Sequence, residues 1–204
     1  MRYGVFGDVQ GVYDNLKQMF MYYNKSGIDS FLCLGDIIQN GDKYSDNLCI
    51  DSIRKRNCYV VRGDHDDISN IVAEYGKIYQ ENIAFLDKLP LVLRLGNILL
   101  FHKSLSGQEK IEDVKDASKE FEEIEMKYPN IVKIAFYGHT HKIKGFIKKE
   151  NNIYDINLKP KDKIILQENN IYLINPGSIG LPDKGNPSFG IFDADKNTFE
   201  IKCL

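Results

Sequence analysis

The chain has 204 residues, 43% of them hydrophobic, with 27 lysines and arginines against 29 aspartates and glutamates. That length suits one domain burying about 70% of its unfolded surface, and a formal charge of −2 gives no global electrostatic drive toward nucleic acid or anionic lipid. A strand-like start with an aspartate at position 8 argues against a secretory leader, and no apolar run approaches the ~18 residues of a membrane span, so a cytoplasmic protein away from membranes is expected.

In chain order, the β-prone runs RYGVF, FLCL and CYVV are each followed by a Gly-Asp pair, which places Asp8, Asp36 and Asp64 at matching strand ends 28 residues apart. Between the first two, Val12, Leu16, Met19, Phe20 and Tyr23 recur at three- and four-residue spacing and predict an amphipathic helix ended by Gly27. A second helix is expected within Asp46 to Arg56, so residues 2 to 64 read as two β-α-β units with parallel strands. The run NILLFH reads as a further strand ending at His102. A third helix is predicted over Glu109 to Tyr128, with Ile111, Val114, Ala117, Phe121 and Ile124 on one face and Pro129 as its stop.

Strand-like segments then dominate, at Ile134 to Tyr137, Gly145 to Lys148, Ile153 to Ile156, Ile164 to Leu166, Ile171 to Ile174, Phe189 to Phe192 and Phe199 to Ile201. The Lys-rich stretch from Lys142 to Lys163 is most simply a solvated hairpin surface, with a basic rim facing a substrate as the other reading. Phe and Tyr residues in the C-terminal strands hint at a homodimer surface. Cys33, Cys49, Cys58 and Cys203 form no CxxC pair and are expected as four reduced, apolar-packed thiols. No linker interrupts the pattern, so a single domain over 1–204 is expected. An α/β front half and a β-rich second half predict two packed sheets with helices outside.

Open α/β sheets bind ligands at the carboxyl ends of their strands, where the three aspartates fall. Three carboxylates there repel one another unless protonated or compensated by cations. All four histidines also sit at strand ends: His65 in GDHD, His102 after ILLF, and His139 and His141 in GHTH after IAFY. Any one of these residues alone could be a cap or a satisfied core group. Together they have the pattern of Asp/His ligands to a two-metal site. Glycines before Asp8, Asp36, Asp64 and His139 would let the backbone approach that site closely.

The series GDVQG, GDIIQNG, GDHD, FH and GHTH, followed by INPGSIGLP, resembles the calcineurin-like metallophosphoesterase superfamily, whose blocks are DxH, GDxxxxG, GNH(D/E), H and GHxH in that order. The resemblance runs from Arg2 to about Phe192 and is nearest the small bacterial single-domain branch. It implies a four-layer α/β/β/α sandwich and two divalent metal ions, Mn²⁺ first, with Fe, Zn, Ni, Co or Mg as alternatives. One ion would be held by Asp8, Gln10, Asp36 and His141, the other by Asp36, Asp64, His102 and His139. A bridging hydroxide would then attack phosphorus in a phosphomono- or phosphodiester, such as a cyclic nucleotide or dinucleoside polyphosphate. His65 would protonate the leaving oxygen, oriented by Asp66, and Arg62 would either contact phosphate or form a surface ion pair.

Three positions depart from the family pattern. Gln10 stands where the first block has histidine, Asp64 where the third has asparagine, and Lys103 where a small residue follows the His102-type ligand. An amide oxygen is a harder and weaker donor than imidazole and suits Mn²⁺ or Mg²⁺ better than Zn²⁺. Asp64 would tighten the second site while making the metal pair less electrophilic. The alternative to a phosphoesterase with a small, nucleotide-like phosphorylated substrate is a catalytically weakened or inactive descendant that binds a nucleotide or a protein partner. Long nucleic acid is disfavoured by the acidic pI.

Overall fold

The computed structural model describes residues 1–39, 44–69 and 78–204. The front half runs β1 (Arg2–Phe6), α1 (Tyr13–Lys25), β2 (Ser30–Cys33), α2 (Tyr44–Arg54), β3 (Asn57–Val60) and α3 (Gln80–Asp87). Then come β4 (Val92–Leu95), β5 (Ile98–Phe101), α4 (Val114–Lys127), β6 (Ile134–Phe136), β7 (Ile143–Lys149), β8 (Asn152–Asp155), β9 (Lys163–Ile165), β10 (Asn170–Pro176), β11 (Ser188–Asp193) and β12 (Thr198–Cys203). Two six-stranded sheets result, ordered β3-β2-β1-β11-β12-β9 and β4-β5-β6-β10-β7-β8. As the two β-α-β units require, β1 pairs parallel with β2 and β2 with β3.

Strand alternation builds three apolar layers. In β2, Phe31 and Cys33 face Leu16, Met19, Phe20 and Tyr23 of α1 and Cys49, Ile50 and Ile53 of α2. Leu32 and Leu34 turn the other way, onto Ile98, Leu100, Ile134, Phe136 and Ile174 of the second sheet. The outer face of that sheet, with Leu99, Phe101, Ala135 and Leu173, packs on Ala117, Phe121 and Ile124 of α4. Helices, sheet, sheet and helix form the expected α/β/β/α sandwich.

Several local expectations change. α4 begins at Val114, five residues later than its apolar stripe suggested, because the Asp113 side chain accepts from the Asp116 N–H at 2.9 Å and caps it; Ile111 is buried ahead of the helix. α3 and β4 carry no clear period in the sequence and were not foreseen. Phe189, Phe192, Phe199 and Tyr172 are 0–4% exposed, so these four aromatics belong to the core and not to a dimer surface, while Tyr154 of β8 is half exposed. Cys33 and Cys49 are buried thiols, and all four cysteines are free. Among the described residues no helix is long and apolar enough to cross a membrane.

Candidate metal centre

The carboxyl ends of β1, β2 and β3 lie together, and the chain after β5 and β6 reaches the same place from the second sheet. Asp8 and Gln10 follow β1, Asp36 follows β2, and Asp64 and His65 follow β3. His102 follows β5, while His139 and His141 follow β6. Three overlapping groups have ligand atoms within 4.8 Å of one another: Asp8, Asp36 and His141; Asp64, His102 and His139; and Asp36, Asp64 and His65.

Close approach of the two loops after β2 and β3 demands glycine. A Cβ on Gly63 would stand 2.1 Å from Asp36 Oδ1 and 2.2 Å from Asp36 N, and Gly35, at φ +89°, has Gly63 N only 2.5 Å from its would-be Cβ. Ten described non-glycine residues adopt positive φ, and five of them are Asp8, Gln10, Asp36, His139 and His141, at +50° to +69°. Backbone strain of this kind costs on the order of 1–3 kcal/mol per residue and collects at functional sites.

Each side chain is aimed by a partner on its far side. The His102 ring holds Nδ1 2.6 Å from Leu34 O, and the His141 ring holds Nδ1 2.7 Å from Leu181 O. Donation through Nδ1 leaves both Nε2 lone pairs facing inward, the arrangement that serves metal-ligating histidines. Asp8 Oδ1 accepts from the His139 N–H at 2.9 Å, and Asp36 Oδ1 from the His65 N–H at 3.0 Å. His102 Nε2 lies 3.0 Å from Asp64 Oδ1 and 3.3 Å from Asp36 Oδ1, yet makes no aligned hydrogen bond with either. His139 Nδ1 is 3.1 Å from Asp64 Oδ1, and His141 Nε2 is 3.4 Å from Asp8 Oδ1.

Buried atoms left without partners include Asp8 Oδ2, Gln10 Oε1, His102 Nε2 and His139 Nε2. Orphaned buried donors and acceptors are costly, and a shared cation would satisfy several of them at once. The donors are carboxylate oxygens and imidazole nitrogens, a set that divalent transition metals accept. The residues therefore fit a divalent metal.

Electrostatics agree with a cluster that wants positive charge. Burial opposes the charge on Asp36, but His102 and the His65 N–H outweigh it and hold the carboxyl below its ordinary range. His102 and His139 hold Asp64 far below the usual carboxylate range. Asp8 pushes His141 up, and the charge of Asp36 raises His102 against its burial. A cation bound among these carboxylates and imidazoles would compete with protons for the same atoms.

Asp66 is fully buried, and its carboxylate is engaged by backbone groups. Its Oδ1 accepts from the N–H groups of Ile37 at 2.8 Å and Ile38 at 3.3 Å, and its Oδ2 from the Gly63 N–H at 3.0 Å. It clamps the loop after β2 to the loop after β3. Burial, then the Asp36 charge, raise its carboxyl to about 6. Arg62 lies at the site's edge, in a groove of about 440 Å³ that also includes Asp64 and His102.

Gln10 points into the centre, its Nε2 donating to Asp36 Oδ2 at 2.8 Å and lying 3.5 Å from His141 Nε2. Lys103 pairs with Glu109 at 2.7 Å on the rim. Residues that sequence reasoning left without a role buttress the site from below. Asn175 Nδ2 donates to Gly138 O at 2.7 Å and Thr140 Oγ1 at 3.1 Å, and Ser178 Oγ donates to Asp8 O at 2.9 Å. The signal was the polar NPGS turn, visible but mute because none of its side chains titrates.

Fold and cluster together define a class: proteins that present Asp and His side chains for divalent cations at the open end of two stacked α/β sheets. Residues 1–197 match the calcineurin-like phosphoesterase superfamily domain, and the chain belongs to that family. An uncharacterised protein of Methanocaldococcus jannaschii is 31% identical over 222 residues, covering 97% of this chain and 84% of that one. A symmetrical bis(5'-nucleosyl)-tetraphosphatase of Vibrio parahaemolyticus is 26% identical over 59% of this chain and 51% of its own length. A metallophosphoesterase from Sphaerobacter thermophilus shares the fold, with a TM-score of 0.78 at 22% identity over 100% of this chain and 88% of that one.

Proposed function

We propose that this protein is a divalent-metal-dependent phosphoesterase acting on small phosphomono- or phosphodiesters of nucleotide type in the cytoplasm. The observation that carries the reading is the convergence of Asp8, Asp36, Asp64, His102, His139 and His141, from both sheets, onto adjoining groups in which Asp8 Oδ2, His102 Nε2 and His139 Nε2 are buried without a hydrogen-bond partner. Asp8, Gln10, Asp36 and His141 would hold one ion, and Asp36, Asp64, His102 and His139 the other, with Asp36 shared. When bound, such a pair supplies Lewis acidity toward a phosphoryl oxygen and acidifies water. The carboxylate-rich donor set favours Mn²⁺.

His65 is assigned the proton for the leaving oxygen. It is half-buried beside the centre, and its own backbone N–H anchors Asp36, so the ring is positioned relative to the shared carboxylate. Arg62 sits in the groove next to Asp64, where its guanidinium can meet a non-bridging phosphate oxygen. A nucleotide-type substrate is supported by the activity named for the Vibrio relative.

The test is metal analysis of the purified protein with hydrolysis of bis(p-nitrophenyl) phosphate and p-nitrophenyl phosphate in added Mn²⁺. Two ions per chain and turnover of at least one ester are expected. A metal-free protein that turns over neither would leave the binding-protein alternative standing.

A further inference from the structure

A groove of about 560 Å³ opens from the metal centre on its His141 side, large enough for a nucleotide-sized group. Besides His141 it is lined by Lys142, Lys144, Lys159 and Lys184, with Asp183 as the one acidic residue among its described lining. Lys142 is engaged by Glu112 and Lys144 by Asp155, each at 2.7 Å. Lys159 and Lys184 are exposed and have no ion-pair partner among the described residues.

The groove on the other side of the centre differs in charge balance. There Lys103 pairs with Glu109 at 2.7 Å, Lys127 pairs with Glu123 at 2.7 Å, and Arg62 feels the charge of Asp67. Uncompensated positive charge is therefore concentrated on the His141 side. Lys159 comes from the Lys-rich stretch whose commonplace reading is a solvated hairpin, and Lys184 from the turn that follows β10; Lys144 and Lys148 do serve as hairpin surface, pairing with Asp155 and Glu125.

Resting on the phosphoesterase reading, we propose that this groove is the subsite for the part of the substrate that is not attacked. That part carries phosphate of its own, so the substrates are phosphoanhydrides or diesters with a second anionic group. A simple monoester would leave Lys159 and Lys184 with nothing to bind, and an uncharged leaving group would gain nothing from crossing four lysines. Exposed ammonium groups each contribute modestly and are screened by salt, so their joint effect belongs to selectivity.

The experiment compares the Mn²⁺-loaded wild type with Lys159→Glu/Lys184→Glu and the charge-keeping Lys159→Arg/Lys184→Arg on two substrates. Diadenosine tetraphosphate carries further phosphates, and bis(p-nitrophenyl) phosphate does not. Charge reversal is expected to lower the ratio of kcat/KM for the tetraphosphate to that for the diester by about tenfold or more, mainly through KM, with the loss shrinking at high salt. The arginine variant is expected to keep the ratio. An unchanged ratio on charge reversal would overturn the subsite. If the wild type hydrolyses neither substrate, the phosphoesterase reading fails separately. Calorimetric binding of ADP to the same three proteins then decides the groove: affinity lost only on charge reversal supports it, and equal affinity sinks it.

Discussion

At the scale of single residues, Gln10 is the most informative departure. Its amide presents the NH₂ to Asp36 and His141 and leaves Oε1 buried without a partner. Serving a cation requires the oxygen, so the amide must turn over and give up its bond to Asp36. The first ion is therefore expected to bind more weakly than the second, which has the anionic Asp64 between two imidazoles. Gln10→His should tighten the weaker of two Mn²⁺ sites by about tenfold or more in a calorimetric titration. Two equal sites in the wild type, or no shift on substitution, would remove Gln10 from the ligand set. His65 poses a different question, because it also falls within one of the three close groups. If it handles the leaving-group proton, His65→Ala keeps both ions and slows turnover by about 10²–10⁴-fold. Loss of an ion in a folded variant would instead make it a ligand.

Among the elements, the turn after β10 matters more than its composition suggests. Ser178 is fully buried; its hydroxyl donates to Asp8 O at 2.9 Å and accepts from the Leu181 N–H at 2.8 Å. The same turn presents Leu181 O to His141 Nδ1. One hydroxyl thus joins the first strand's aspartate to the segment that aims a histidine. Ser178→Ala removes the donor to Asp8 O and the acceptor of the Leu181 N–H and is expected to cost about 1–2 kcal/mol in urea unfolding, with weaker binding of the first ion. A loss below about 0.5 kcal/mol, the range of an ordinary surface change, would show that the turn holds itself without it.

For the molecule as a whole, the centre is held by loops from both sheets, so ions that bind only the folded chain act as staples between the sheets. The tighter ion alone, at 100 times its dissociation constant, would add about 2.7 kcal/mol, and in a chain of this size roughly 5–10 °C of melting temperature. Exhaustive chelation should lower the midpoint by about that amount, and restored Mn²⁺ should recover it. A melting temperature indifferent to chelator and metal alike would mean that the cluster does not hold ions in the folded state.

By itself the sequence determined which candidate ligands stand at strand ends and much of the frame. The 28-residue recurrence of Gly-Asp after β-prone runs and the strand-end positions of every histidine were legible because strand period and residue type are local properties. The stripe of α1 was legible for the same reason. Where local signals were weak or ambiguous, tertiary structure decided. α3 and β4 lack a distinct period and are settled by packing, and a single Asp113 side chain overrides the longer stripe before α4. The C-terminal aromatics could have faced a partner or a core, and only packing sends them inward, Phe192 and Phe199 between the two sheets and Phe189 under α1. Asp66 shows the limit most plainly. Adjacency to His65 suggested a catalytic pairing, whereas its carboxylate accepts from three backbone N–H groups of two loops, because buried amides left unpaired are costly.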